Sequence, residues 1–324
     1  MRLMSALFEN AVASIRMGIE DYQSQDAFRD ISAVRNYYAG VLLLAKEALV
    51  QCFPEEDPDV ILAAKVRPVA KGERLVMEAE GTATVDFANI GRRLKDFGVH
   101  IDVGRLEELR RIRNDIEHKY STAKPKVIKR AIAKGFPVIA ELFRVLNKGP
   151  AINLEEAWTA MLATTELYEA ELARARATLA PIHWHSRVIG RAKFECPECS
   201  SELVIQEDPS NTSQDDAHLA CEACGTMILE TATFFETLVD QELGAECYIR
   251  AKETGEDGPV FGCPSCNRAT FIEDEWTCAN CGYGLPDVTG RCEVCGTNIP
   301  VSDLLADPDR LLCSYHEYLA QKDD

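Results

Sequence analysis

The sequence predicts a multidomain chain: a mostly α-helical bundle in the N-terminal half, then small β modules built on cysteine knuckles, with one helix between the modules. Three observations carry this. Apolar residues recur at spacings of three and four through about residue 180. Every one of the 13 cysteines except Cys52 lies after residue 195. The net charge of −18 also belongs to the second half: residues 1–185 carry 26 Lys+Arg and 26 Asp+Glu, whereas residues 186–324 carry 9 and 27.

Taken in order, the first amphipathic helix is expected from Ser5 to Tyr22. The second runs from Asp26 to Cys52 through "AVRNYYAGVLLLAKEAL" and is ended by Pro54 and Pro58. A strand-like insert follows over residues 59–86, "DVILAAKVRPV" and "RLVMEAEGTATVDF", with a turn at Lys71-Gly72. Helical patterns resume at Ala88–Phe97, Val103–Tyr120, Pro125–Asn147 and Asn153–Leu179, with Gly149-Pro150 as a break. The domain reading is therefore a helical domain at 1–180, with "APIHWHSRVIGRAKFE" as linker. Then come a cysteine module at 186–230, a helical connector at 231–260 containing "TATFFETLVDQELGAECYIRAKE", and two further modules at 261–324.

The cysteines form five Cys-x-x-Cys knuckles: Cys196/Cys199, Cys221/Cys224, Cys263/Cys266, Cys278/Cys281 and Cys292/Cys295. A sixth half-site, Cys313-Ser-Tyr-His316, has the same spacing with histidine last. Six half-sites make three four-ligand centres, and tetrahedral zinc suits that ligand set. The expectation is three structural zinc ions per chain, because four protein ligands leave no open position for a reacting water. Sequential pairing assigns Cys196, Cys199, Cys221 and Cys224 to the first, and Cys263, Cys266, Cys278 and Cys281 to the second. Cys292, Cys295, Cys313 and His316 form the third. A cross-braced arrangement of the last two is the rival, and His218 is a possible substitute ligand near Cys221. Cys52 and Cys247 stand alone and read as small buried hydrophobes. A redox role fits poorly, since a thioredoxin-like site uses one such motif at a helix start within a βαβ unit.

Nothing at the N-terminus resembles a secretion signal, and "AGVLLLAKEALV" is too short and too charged to span a bilayer. The expected location is cytoplasmic, without a membrane partner, where paired cysteines are thiolate ligands and not disulfides. The acidity of the second half argues against nucleic-acid binding there, since phosphate contacts need cations. Each four-thiolate centre stays negative even with its metal. That half is a candidate for docking a basic protein surface.

Chemistry is then expected in the helical half. Residues 105–130 hold nine basic and four acidic residues, and within them lies Arg113-Asn114-Asp115-Ile116-Glu117-His118. Asn114 and His118 are four apart and share a helix face. On a plainer reading, Arg113 with Glu117 and Asp115 with Lys119 are ion pairs on a solvated helix. His183, His185 and His100 read as packing, capping or surface residues.

The hexamer "RNDIEH" resembles the signature of HEPN domains, an arginine followed after four to six residues by a histidine, and "AVRNYYAGVLLLAKEAL" looks like the second long helix of that fold. The resemblance covers roughly residues 1–150; the strand-like insert departs from a minimal helical HEPN bundle. It implies a metal-independent endoribonuclease that cleaves RNA by attack of the ribose 2′-hydroxyl, in a toxin-like, defence or RNA-processing setting. His118 would act as general base or acid, Arg113 would stabilise the phosphate, and Asn114 would orient one of them. In the family two motifs face each other across a dimer, which implies a homodimer through the helical half. The acidic lobe would then regulate the enzyme, through Glu273-Asp274-Glu275 or Gln214–Asp216, or dock a partner. The alternative is a catalytically inactive HEPN and zinc-ribbon module serving as a protein–protein adaptor. A chaperone-like zinc protein is a third class.

Overall fold

A short polar side chain caps each of the two long helices that begin the chain. In the computed structural model Ser5 Oγ accepts from Phe8 N–H at 3.1 Å to open α1 (Ala6–Gln23). Asp26 accepts from Phe28 N–H at 2.9 Å to open α2 (Ala27–Gln51). The structure describes residues 5–118, 124–253, 258–285 and 290–322. They are mostly helical with small antiparallel sheets, and no described helix is long and apolar enough to cross a membrane. The chain divides into two units, Met1–Ala173 with Glu222–Gly225, and Arg174–Cys221 with Thr226–Asp324.

In the first unit α1 and α2 pack closely where two glycines remove the side chains between them. A Cβ on Gly18 would lie 2.6 Å from the Tyr37 backbone nitrogen, and one on Gly40 would lie 2.7 Å from that of Ile15. After α2 comes α3 (Pro58–Leu62), where a strand was expected. Asp57 accepts from Asp59 N–H and Pro58 occupies the first turn, so the local signal is a helix start. Only the rest of the insert is β, as a hairpin of β1 (Val66–Lys71) and β2 (Arg74–Ala79). Gly72 at φ 66° opens its two-residue turn.

Next come α4 (Phe87–Asp96), a 3₁₀ turn at Val103–Leu106 and α5 (Glu107–His118). The expected helix end at Tyr120 and the Asp115–Lys119 pair lie outside the described residues. The expected single helix Pro125–Asn147 is two, α6 (Pro125–Ala133) and α7 (Phe136–Val145). Pro137 has no N–H for a continuing helix and its ring would clash one turn back. The expected helix Asn153–Leu179 is three, α8 (Pro150–Leu154), α9 (Glu156–Leu162) and α10 (Thr165–Leu179). The first break is at Glu155, which sits at φ 51° and pairs with Arg16 at 2.7 Å. At the centre, α2 packs against α1 and α3 to α7, and its Val34, Tyr37, Val41, Leu44 and Leu49 are fully buried.

The second unit carries α11 (Arg187–Arg191), the sheet of β3 (Val204–Gln206), β4 (Leu219–Cys221) and β5 (Met227–Ile228), and α12 (Thr231–Glu253). A second sheet has β6 (Val260–Gly262), β7 (Ala269–Ile272) and β8 (Thr277–Cys278), followed by α13 (Val301–Ala306) and α14 (Ser314–Lys322). The segment expected to be a linker is part of this unit's packing. Trp184 lies against Phe194 and Phe235, with centroids 5.2 and 5.9 Å away, and His183 N–H donates to Thr212 O at 2.8 Å.

Candidate metal centres and the Arg113–His118 helix

Each Cys-x-x-Cys knuckle is one repeated backbone turn. The first cysteine's N–H donates to the carbonyl five residues on, at 2.7 to 2.9 Å, in all five: Cys196 to Ser201, Cys221 to Thr226, Cys263 to Arg268, Cys278 to Tyr283 and Cys292 to Thr297. The residue just after the second cysteine is left-handed every time: Ser200 (φ 57°), Gly225 (78°), Asn267 (57°), Gly282 (70°) and Gly296 (72°). Glycine enters that region without the Cβ penalty and Asn tolerates it, so "CG" and "CN" mark a knuckle more sharply than cysteine spacing alone.

The turn aims N–H groups at the first sulfur. Cys263 receives those of Ser265 and Cys266, and Cys278 those of Asn280 and Cys281. The sixth half-site reaches the same result from a helix: Cys313 precedes α14 and receives the N–H groups of Tyr315 and His316. Burial pushes the Cys278 thiol up to about 12 despite those donors. At Cys292 burial works the same way, but the N–H groups of Cys313, Cys295 and Val294 outweigh it and bring the thiol to about 6.

The knuckles come together in sequential pairs. Cys196, Cys199, Cys221 and Cys224 form one cluster; Cys263, Cys266, Cys278 and Cys281 the second; Cys292, Cys295, Cys313 and His316 the third. In each, the ligand atoms all lie within 4.8 Å of one another. The cross-braced alternative is therefore not the arrangement. His218 belongs to no cluster: it is exposed, and its backbone pairs with Gln206 and Glu207. Sulfurs sit 3.7 Å apart at Cys199–Cys221, Cys263–Cys281 and Cys266–Cys278. A disulfide needs about 2.05 Å, whereas sulfurs held tetrahedrally about 2.3 Å from a zinc are about 3.8 Å apart. In the third cluster His316 Nδ1 lies 3.4 Å from Cys292 Sγ and 3.3 Å from Cys313 Sγ. Three sites able to hold a metal ion are present.

The second centre is braced from outside. Buried Gln214 donates to the carbonyls of Ala279 and Asn280, inside the Cys278–Cys281 knuckle, at 2.8 and 3.0 Å, while its Oε1 accepts from His185 N–H at 2.9 Å. His185 Nε2 in turn lies 2.9 Å from Asp215. Of the acidic run, Glu273 pairs with Arg250, and Glu275 accepts from the Arg187 backbone and pairs with its guanidinium. Gln214, Asp215, Glu273 and Glu275 thus have partners within their own unit.

In the first unit, α5 buries Leu109 and Ile112 and turns its polar residues outward. Arg113 is half-buried, its guanidinium carbon 5.7 Å from the Tyr38 ring centroid and its Nη1 donating to Asn114 Oδ1 at 3.2 Å. The expected Arg113–Glu117 pair is not made. Glu117 accepts from Arg35 Nε on α2 at 2.8 Å, and among the described residues no carboxylate pairs with Arg113. His118, the last residue of α5, is exposed. Burial raises the Tyr38 hydroxyl above its ordinary range, with Arg113 and Arg110 partly offsetting it. The structure therefore places Arg113, Asn114 and His118 on one helix, where the neighbouring Arg35 and Arg110 are paired with Glu117 and Glu107.

Comparison of the chain with family models, curated proteins and solved structures returned no match. The chemistry of both places rests on their own residues.

Proposed function

We propose that the chain is a metal-independent endoribonuclease of HEPN type, working as a homodimer through its helical half. Three structural zinc ions fold the acidic second half, which docks a basic protein surface or regulates the enzyme. The observation that carries the nuclease reading is the state of α5. Arg113 keeps its charge unneutralised by any described carboxylate, and an exposed histidine ends the same helix.

RNA cleavage asks for those two groups. A histidine takes the 2′-hydroxyl proton, the 2′-oxygen attacks the adjacent phosphorus, and a second histidine protonates the leaving 5′-oxygen. Charge accumulating on the phosphate is met by a guanidinium fork. One copy supplies one histidine, so two copies of α5 facing each other complete the pair. Asn114 holds Arg113 through the 3.2 Å hydrogen bond. Zinc is the reading for the clusters because thiolate and imidazole donors with tetrahedral spacing suit it.

The test is RNA cleavage by the full-length protein and by His118→Ala and Arg113→Ala, without added divalent ions. The expected result is product with 2′,3′-cyclic phosphate ends, reduced about 10²-fold or more in both variants. Cleavage that persists in both variants, or no cleavage of structured or single-stranded RNA by the parent, overturns the reading. The adaptor role would then be the one to pursue through the acidic unit.

A further inference from the structure

Three of the nine cations in residues 186–324 fall within seven positions, Arg187, Arg191 and Lys193. Two of them line a pocket of about 430 Å³ in the second unit, joined there by Arg176 from the end of α10. The pocket also presents Trp184 and Phe194, whose ring centroids are 5.2 Å apart, with Leu179 beside them. One carboxylate, Glu202, shares the lining and bridges Arg176 and Lys193, each at 3.1 Å. Lys193 also meets Glu195 at 2.7 Å, and Arg191 reaches Glu242 only at 4.0 Å. The three cationic side chains remain 58 to 67 % exposed, so their donors stay open to a ligand. In the most acidic part of the chain, three cations gather at one aromatic-lined pocket, balanced by the carboxylates of Glu202, Glu195 and Glu242, which a phosphate would displace in part.

We propose that this pocket binds a nucleoside monophosphate, its base against the half-buried Trp184, which Phe194 backs from the core, and its phosphate held by Arg176, Arg191 and Lys193. Flat apolar rings next to guanidinium groups match a base beside a phosphate, and the volume lies within the range of about 300–1,000 Å³ usual for small-molecule sites. A single nucleotide can be free or stand at the end of an RNA strand. The surrounding 27 acidic residues against 9 basic ones repel a polyanion, which favours the free nucleotide. The site shares no residue with α5 and stands or falls apart from the nuclease reading.

The experiment is calorimetric titration of the full-length, metal-loaded protein with AMP, UMP, adenosine, inorganic phosphate and a short oligoribonucleotide. The variants are Arg191→Glu, Gly190→Leu and His118→Ala. Gly190 lines the pocket, and a Cβ there would sit 3.4 Å from Trp184 Cδ1, an ordinary contact. A larger side chain can therefore block the pocket without disturbing the backbone. The expected result is mononucleotide binding weakened at least tenfold by Arg191→Glu and by Gly190→Leu, and unchanged by His118→Ala. Oligoribonucleotide binding tighter than AMP, and sensitive to the same two changes, would keep the site and identify a strand as its source. No mononucleotide binding at millimolar concentration overturns the proposal. So does binding indifferent to both pocket variants, or inorganic phosphate binding as tightly as AMP.

Discussion

Alanine in place of Gly282 should cost the second centre far more metal affinity than alanine in place of Gly296 costs the third, although both glycines occupy the same knuckle position. Each sits in the left-handed region, φ 70° and 72°, where a Cβ costs about 1 kcal/mol. Around Gly296 nothing lies within 4 Å, so the backbone term is the whole effect. Around Gly282 an added Cβ would stand 2.8 Å from His185 Nδ1 and 3.0 Å from Cε1. That ring is tied to Asp215 and its backbone to Gln214, so moving it adds about 1 kcal/mol more. Metal affinity and local folding are the same free energy in such modules. At 1.4 kcal/mol per tenfold, Gly296→Ala should weaken its centre about fivefold and Gly282→Ala about thirtyfold. Cobalt(II) substitution, read by thiolate-to-metal absorption under chelator competition, measures both against the parent. Combining Gly282→Ala with His185→Ala should recover the steric part, measured against His185→Ala alone. Equal losses at the two glycines, or no relief in the double variant, would refute this account of the knuckle.

Other outcomes follow from the same geometry. Cys278→Ser should lower bound metal from three equivalents per chain to two by elemental analysis, and Cys313→Ser should do the same at the third centre. Metal uptake should release more protons at the second centre than at the third near pH 7.5. The second centre has four thiols to deprotonate, with Cys278 near 12, Cys263 raised by burial and Cys266 brought down to about 7, whereas the third has three, of which Cys313 is raised and Cys292 near 6 is already a thiolate; affinity at the second centre should therefore fall more steeply as pH is lowered, as an indicator-dye titration will show. Gly18→Ala and Gly40→Ala should each destabilise the first unit by about 1–3 kcal/mol, because the added carbon meets backbone atoms of the facing helix. Chemical denaturation followed by circular dichroism checks this.

The elements legible in the sequence were those set by local signals. The first two helices were expected to begin at Ser5 and Asp26, which the structure shows to be their caps, and the metal clusters were legible because Cys-x-x-Cys spacing is itself the ligand geometry. The boundaries that escaped turn on contacts or on overlooked local chemistry. Glu155 breaks a helical pattern without glycine or proline, in a strained conformation paired to Arg16, 139 residues away. The Asp57-Pro58 helix start was in the sequence but lost to the β-branched run behind it. At α5 the spacing suggested an Arg113–Glu117 pair, but Arg35 on α2 takes the carboxylate, which only the packing of two helices decides. Nothing in the sequence pattern marked Trp184 and Phe194 as neighbours, because Trp184 lies in the stretch that reads as a linker.

The Gln214 side chain has a consequence for how this protein matures. It leaves the loop between β3 and β4, whose ends carry into the first centre's knuckles, and fastens onto two carbonyls of the second centre. A metal entering one centre orders the loop that shapes the other, and by reciprocity the second returns the favour to the same degree. Metal loading of these two centres should accordingly be cooperative, with half-filled chains scarce. A cell short of the metal would then hold chains with these two centres both filled or both empty, in place of a graded series.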